Sequence, residues 1–351
     1  MKLAHILLDR NVPSSVVRTI FNLYQCQSAR VKWKSSISEE FEIRNGVKQG
    51  GVLSPILFSI YIDDLLLNLS KSGYGCYTGH HFAGAFAYAD DVVLLSPNVA
   101  GLQHMLDIAT SFCSSRDIKV NTEKTFSVVF SKNGSSCDPQ LYINNTSLDG
   151  RIVRIASKSE CTHLGHKLTS DLNQGVDIGY QRNVFIRRAN GILATFGQLR
   201  SDIRTRLLFI YACSFYGCEL WPISDVSSIS SSYRSAIRRA LGLPPRAKSI
   251  LLPIVSGLDS FENIQTKRCT RFYVHLYNIK LCSFLKTCSL CNPVSTAGNN
   301  IKSLRHTSAV PANEDILRRA GMLQELLLER DLNGAMDSDF VVELINFVST
   351  Y

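Results

Sequence analysis

Residues Phe86 to Leu95 read F-A-Y-A-D-D-V-V-L-L. Two adjacent carboxylates, Asp90 and Asp91, stand between two apolar runs of strand length and strand composition. Like charges held this close repel one another. A hard divalent cation, Mg²⁺ or Mn²⁺, removes that cost, because it takes carboxylate oxygens and keeps sites for water and phosphate. The pattern therefore suits a strand–turn–strand platform that grips a metal ion for phosphoryl transfer. It also suits a solvated hairpin turn, where Asp is common. The pair by itself leaves both readings open.

Three further pieces surround it in order. The loop G-V-K-Q-G-G-V-L-S-P (Gly46–Pro55) combines the amide of Gln49 with glycines that permit close approach to a nucleotide or template base. Lys124 lies 34 residues after Asp90, just before a strand-like run. A lysine there can neutralise a triphosphate or protonate a departing pyrophosphate. C-T-H-L-G-H-K-L (Cys161–Leu168) reads as a tight turn in an apolar setting.

The elements that must position these residues follow from periodicity. Residues 3–25 have helical spacing broken at Asn11-Val12-Pro13, with Ser14 and Ser15 available as caps. Residues 29–34 and 41–44 predict two short strands joined by S-S-I-S-E-E. Ile56–Leu69 predicts a helix with Pro55 in its first turn, and 99–118 an amphipathic helix with Leu102, Met105, Leu106, Ala109 and Phe112 on one face. Phe126–Phe130, 141–143 and 151–155 read as strands. From 176 to about 285 the chain reads as helical, with Phe185, Ala189, Ile192, Phe196 and Leu199 as a core stripe and Arg187 opposite it. A linker at 286–313 and a helix at Ile316–Asp331 follow.

Composition narrows the class. With 351 residues, 45% hydrophobic and 19% charged, the chain is globular and large enough for two or three domains. The best membrane candidate, Leu207–Ile223, contains Glu219 and small polar residues, so no span is expected. The N-terminal stretch is interrupted too soon for a secretory signal, and eleven scattered cysteines suggest reduced, intracellular thiols rather than a secreted disulfide framework. Cys282, Cys288 and Cys291, with His275 or His306, are a zinc candidate with irregular spacing; free thiols are the plainer reading. The net charge of +9 is concentrated: residues 176–285 hold 15 cations against 6 anions, and 12 of the cations are Arg. Such a block suits a polyanion, since each neutralised phosphate releases counterions.

Together these pieces resemble the reverse transcriptases of non-long-terminal-repeat, LINE-type retrotransposons. G-V-K-Q-G-G-V-L-S-P-I-L-F-S-I-Y-I-D-D-L resembles the family's second palm motif, F-A-Y-A-D-D its third, V-N-T-E-K-T its fourth and T-H-L-G-H its primer-grip turn. S-F-Y-G-C-E-L-W and R-R-A-L-G-L-P resemble its thumb region. The resemblance implies an α+β fold. An incomplete polymerase palm with an antiparallel sheet would span 1–170, a helical basic thumb 171–260, and an extension 261–351. It implies RNA-directed DNA synthesis from an RNA template, a DNA primer and deoxynucleotide triphosphates, with no membrane involved.

Asp90 and Asp91 would hold Mg²⁺ (or Mn²⁺), and Lys124 would assist pyrophosphate departure. Gln49, Gly50, Ser54, Pro55, Tyr88 and Ala89 would line the nucleotide and template site, and Leu164 and Gly165 would form the primer grip. Arg182, Arg187 and Arg188 are candidates, from charge alone, for the nucleic-acid backbone. The family's first palm motif, which carries a metal-sharing Asp, is not found in the sequence and is expected upstream of Met1. Asp9 sits at a helix end near Pro13, the wrong context to stand in for it, and Asp63 and Asp64 fall inside a helix and are expected to be structural or solvated. Two functions remain open on this reading: a polymerase domain impaired by the missing Asp, or an inactive nucleic-acid-binding remnant.

Overall fold

The computed structural model describes residues 2–25, 27–43, 46, 50–131, 138–145 and 151–278. The chain divides into two compact units, one of Met1–Ser127 with Cys137–Ser157, the other of Val128–Ser136 with the chain from Lys158 onward. The linker, the last helix and the zinc candidates Cys282, Cys288, Cys291 and His306 lie outside the described residues.

The first unit opens with helices α1 (Lys2–Asp9) and α2 (Ser14–Tyr24). The break falls at Asn11–Pro13, but Ser14 and Ser15 do not cap; Pro13 takes the cap position and supplies only its carbonyl. The next strands nest: β1 (Ser28–Ala29) pairs with β4 (Phe41–Glu42), and β2 (Lys32–Trp33) with β3 (Ser36–Ile37), all antiparallel. The turn is therefore at Lys34-Ser35, and part of the polar stretch expected to connect the strands is itself the returning strand.

Helix α3 (Ser54–Lys71) has Pro55 in its first turn as expected, because the missing N–H costs nothing there. The hairpins β5 (Tyr77–Thr78) with β6 (His81–Phe82) and β7 (Ala85–Tyr88) with β8 (Asp91–Leu94) follow. Helix α4 (Val99–Ser115) is capped by Asn98, whose side chain accepts from the Gly101 N–H. β9 (Phe126–Ser127) is shorter than the expected strand and pairs in parallel with β12 (Ala156–Ser157); β10 (Tyr142–Asn145) pairs antiparallel with β11 (Arg151–Arg154).

Ile62, Leu65 and Leu69 of α3 meet Met105 and Phe112 of α4 in a core that Ala85, Val92 and Leu94 of the β7–β8 hairpin join. Leu7, Val17 and Leu57 close a second core among α1, α2 and α3. The fold is α+β, with short, mostly antiparallel two-stranded ladders among the described residues.

The second unit starts with the hairpin β13 (Glu160–His163) and β14 (His166–Thr169), then helices α5 (Gln174–Thr195), α6 (Ser201–Ala212), α7 (Ser227–Leu241), α8 (Leu252–Ser256) and α9 (Phe261–Asn278). Its core gathers Phe185, Phe215, Trp221, Tyr233 and Phe261. Phe185 and Phe261 are almost fully buried, each worth about 1.5–3 kcal/mol of transfer free energy. Of the predicted core stripe, Phe185 and Ala189 are buried, but Phe196 and Leu199 are 41% exposed. Helix α5 ends at Thr195, so their helical phase is lost.

The described cysteines are free thiols, and Cys113, Cys213, Cys218 and Cys269 are buried. Burial pushes the thiols of Cys213, Cys218 and Cys269 up to about 12. Among the described residues, no helix is long and apolar enough to cross a membrane.

Candidate active site

The β7–β8 hairpin pairs Ala85 with Leu94, Phe86 with Val93, Ala87 with Val92 and Tyr88 with Asp91. Ala85, Ala87, Val92 and Leu94 are half-buried, while Phe86, Tyr88 and Asp91 are exposed. This places Ala89-Asp90 as a two-residue turn. Ala89 adopts φ 52, in the left-handed region that side chains avoid, at a cost of order 1 kcal/mol. The apolar side chains anchor the hairpin; Asp90 sits in the strained turn and Asp91 opens β8 beside it. Asp90 and Asp91 are both exposed, and neither side chain takes an ion pair or hydrogen bond among the described residues.

Two unpaired carboxylates with free oxygens match the donor chemistry of Mg²⁺ or Mn²⁺, which binds through one or two carboxylates and completes its shell with water and phosphate. Among the described residues no group of three or more His, Cys, Asp and Glu forms a metal cage. The pair is suited to a metal shared with a phosphate ligand rather than held by protein alone.

The three other acids weighed in the sequence lie elsewhere. Arg10 bridges Asp63 at 2.9 Å and Asp64 at 3.1 Å, and Arg116 binds Asp64 at 2.7 Å while lying over the rings of Tyr61 and Phe112. The hydrogen bond to Asp63 raises the pKa of Arg10 against its partial desolvation. Asp63 and Asp64 thus tie α3 to the end of α1 and the end of α4. Asp9 is exposed at the end of α1.

In the glycine loop, Gln49 lies outside the described residues. Gly50 has φ 81 and open space where a side chain would be. Val52 and Pro55 are exposed, but Ser54 is buried, its hydroxyl 3.1 Å from that of Tyr24. Ser54 therefore braces α3 against α2, and Gly50 and Pro55 form the accessible part of the loop.

Lys124 is exposed in a turn built by Asn121. The Asn121 side-chain oxygen accepts from the N–H groups of Glu123 and Lys124, each at 3.1 Å, and its carbonyl accepts from the Thr125 N–H. This Asx turn fixes the backbone from which Lys124 projects.

In the second unit, Leu164 and Gly165 form the two-residue turn of β13–β14, both at positive φ (47 and 82). Such turns match the twist of paired strands, and Gly is the usual solution. Leu164 at φ 47 is strained, and its side chain is 38% exposed. The Gly165 carbonyl accepts from the Gln181 amide at 3.3 Å, and a Cβ at Gly165 would stand 3.2 Å from the Tyr216 ring.

The hairpin is locked by a residue that periodicity did not single out. Asp177 on α5 is buried and accepts from the Lys167 N–H at 2.9 Å and from the Trp221 indole N–H at 2.8 Å, and lies 3.1 Å from His166 Nδ1. Gly217, at φ 77, lets the His166 ring pass where any side chain would overlap it. In the sequence Asp177 looks like an ordinary acidic residue in a first helical turn; only its partners, His166 and Lys167 in C-T-H-L-G-H-K-L and Trp221 in S-F-Y-G-C-E-L-W, lay in motifs.

Of the three candidate arginines on α5, Arg187 is exposed and unbonded among the described residues. Arg182 donates to the Ser232 hydroxyl at 2.7 Å and Arg188 to that of Ser214 at 2.9 Å. Arg238, Arg239 and Arg268 are likewise held by neutral oxygens, which orient a guanidinium without cancelling its charge.

The family model for reverse transcriptase (RNA-dependent DNA polymerase) matches residues 2–168. That stretch is a reverse transcriptase domain. The chain is 39% identical over 116 residues to the Retrovirus-related Pol polyprotein from type-2 retrotransposable element R2DM of Drosophila melanogaster, covering 33% of this chain and 11% of that protein. It is 26% identical over 261 residues to the RNA-directed DNA polymerase from mobile element jockey of the same organism, covering 69% of this chain and 27% of that protein. It is 37% identical over 99 residues to the Retrovirus-related Pol polyprotein from type-1 retrotransposable element R2 of Popillia japonica, covering 28% and 14%. These are non-long-terminal-repeat elements, as the motifs implied. The chain spans 27% or less of the length of each of these relatives.

Proposed function

We propose that this chain is the reverse transcriptase domain of a retrotransposon polymerase and serves RNA-directed DNA synthesis, impaired in this chain by the first-motif Asp that its sequence does not contain. The primer 3′-hydroxyl gives up its proton to water, and its oxygen bonds to the α-phosphorus of a deoxynucleotide triphosphate paired with an RNA template. The α–β phosphoanhydride breaks, and pyrophosphate leaves. Asp90 and Asp91 hold the divalent cation, Mg²⁺ or Mn²⁺, which when bound screens the charge that develops on the phosphates. Lys124 neutralises or protonates the departing pyrophosphate. Gln49, Gly50, Ser54, Pro55, Tyr88 and Ala89 line the nucleotide and template site; Ser54 acts from below the surface by holding α3. Leu164 and Gly165 support the primer, and Arg182, Arg187 and Arg188 face its backbone. The palm corresponds to 1–170, the thumb to 171–260 and the extension to 261–351, in an intracellular setting.

The observation that carries this reading is the pair of exposed carboxylates, unpartnered among the described residues, at the tip of the β7–β8 hairpin within the matched reverse transcriptase stretch. The test is incorporation of labelled deoxynucleotide on a primed RNA template with added Mg²⁺ or Mn²⁺. Asp90→Asn and Asp91→Asn are each expected to cut incorporation by more than 100-fold, beyond what loss of an outer-shell partner costs. Binding of the template–primer without extension, unchanged in Asp90→Asn, would overturn the polymerase reading and leave the chain a nucleic-acid-binding remnant.

A further inference from the structure

The ribbon formed by β1–β4 and β2–β3 exposes both residues of each of β2, β3 and β4. At its tip the sequence V-K-W-K-S-S-I-S, residues 31–38, contains no acid. Trp33 is 74% exposed. Its cross-strand partner is Ser36, too small to cover an indole, and the ring has no aromatic or cation neighbour among the described residues. Lys32 and Lys34 flank it without an ion pair among the described residues. Lys34 turns at φ 54, a conformation Asn or Gly would hold with less strain. The acids lie at the base of the ribbon, where Glu40 is engaged by Arg30 at 2.7 Å and by the Ser28 hydroxyl.

A large aromatic kept in water between two unpaired cations is a poor surface for an apolar protein partner, which would have to desolvate both lysines. It fits an unpaired base and its phosphates: stacking uses the π face, and each lysine releases counterions. We infer that the Lys32-Trp33-Lys34 tip stacks a base of the single-stranded RNA template and neutralises the flanking phosphates. The inference rests on the polymerase reading only for the class of ligand.

The chain has two tryptophans, and Trp221 is buried with its N–H on Asp177. Intrinsic fluorescence of the full chain therefore reports Trp33 when ligand is added. Titration with a single-stranded RNA oligonucleotide, without divalent metal, is expected to quench emission saturably and more weakly as salt rises. Trp33→Ala should abolish the quenching and weaken binding, followed by anisotropy of labelled RNA, by about tenfold. Lys32→Gln with Lys34→Asn should flatten the log–log salt dependence by about 1.4. Neither substitution removes a buried group, so circular dichroism should be unchanged.

RNA that binds by anisotropy without quenching, undiminished binding of Trp33→Ala, equal quenching by blunt duplex DNA, or no RNA binding at all would each overturn the inference. Asp90→Asn is expected to quench like the parent chain. Failed incorporation with quenching retained would thus sink the polymerase reading alone, and the converse result would sink this one alone.

Discussion

Asp177 Oδ2 accepts the indole N–H of Trp221 at 2.8 Å, across 44 residues of sequence. The same carboxylate holds the backbone N–H of Lys167 and contacts His166. One buried acid therefore ties β14 and the aromatic core to α5. Asp177→Ala leaves an indole N–H and a backbone N–H buried without a partner, each costing about 1–3 kcal/mol. The expected loss in denaturant unfolding is about 3 kcal/mol, with Asp177→Asn losing less because its oxygen still accepts. A change below about 0.5 kcal/mol for the alanine variant would mean that the network does not brace the hairpin.

Gly217 makes a second prediction about the same junction. A Cβ there would stand 1.9 Å from His166 Cε1, at a φ of 77 that disfavours any side chain. Gly217→Ala should destabilise by about 2 kcal/mol or more, from overpacking and strain together. Pairing it with His166→Ala should restore part of the loss, since the clash is removed and only the strain remains. A double variant no more stable than Gly217→Ala would place the cost in the backbone alone.

The Asp90-Asp91 hairpin can be probed through its strain. Ala89 at φ 52 is tolerated, but a β-branched residue there is not. Ala89→Val is expected to lower stability by about 1–2 kcal/mol relative to Ala89→Gly. The glycine variant should match the parent to within about 1 kcal/mol, because relief of strain offsets added freedom in the unfolded chain. Equal stability of the two variants would show that the turn does not adopt this backbone.

Alkaline pH should weaken the helical unit. Burial raises Cys213, Cys218 and Cys269 from the ordinary 9.0 to about 12. The unfolded chain releases these protons from about pH 9, while the folded chain keeps them. Stability is full below pH 9 and falls as pH rises from 9 towards 12. Denaturant midpoints at pH 7, 9 and 10.5 measure this, with Cys213→Ala and Cys269→Ser flattening the decline. A midpoint that stays level from 9 to 10.5 in the parent chain would contradict the burial of these thiols.

Core packing gives the last expectation. Met105 is fully buried where α4 meets α3. Met105→Ala should cost about 2–5 kcal/mol by transfer and cavity terms. The same core backs Val92 and Leu94 of the Asp90-Asp91 hairpin. In the metal assay, the variant should need more Mg²⁺ for half-maximal incorporation than the parent; an unchanged requirement would uncouple that core from the carboxylates.

Much of this protein was legible in its order of residues. The Asp90-Asp91 hairpin, the Pro55 helix and the 99–118 helix could be read because their signals are local: period-2 and period-3.6 patterns, a proline in a first turn, a two-residue bend. The nested ribbon differs from the expected strands by half a strand, since S-S-I-S carries turn-forming residues yet pairs with Lys32-Trp33, a ladder that the backbone and side-chain bonds between Val31 and Ser38 extend. The helical stripe ran past its helix at Phe196 because periodicity does not register where a helix stops.

The sequence by itself determined the chemistry: adjacent carboxylates between apolar strands, a glycine loop before them and a lysine after, in an order shared with reverse transcriptases. Only the tertiary structure decided which acids remain available. Asp63 and Asp64 pair with Arg10 and Arg116, Asp177 is buried under three contacts, and Asp90 and Asp91 stay exposed and unbonded among the described residues. The physical reason is that the free energy of a carboxylate depends on the donors and water around it, and those neighbours come from residues far away along the chain.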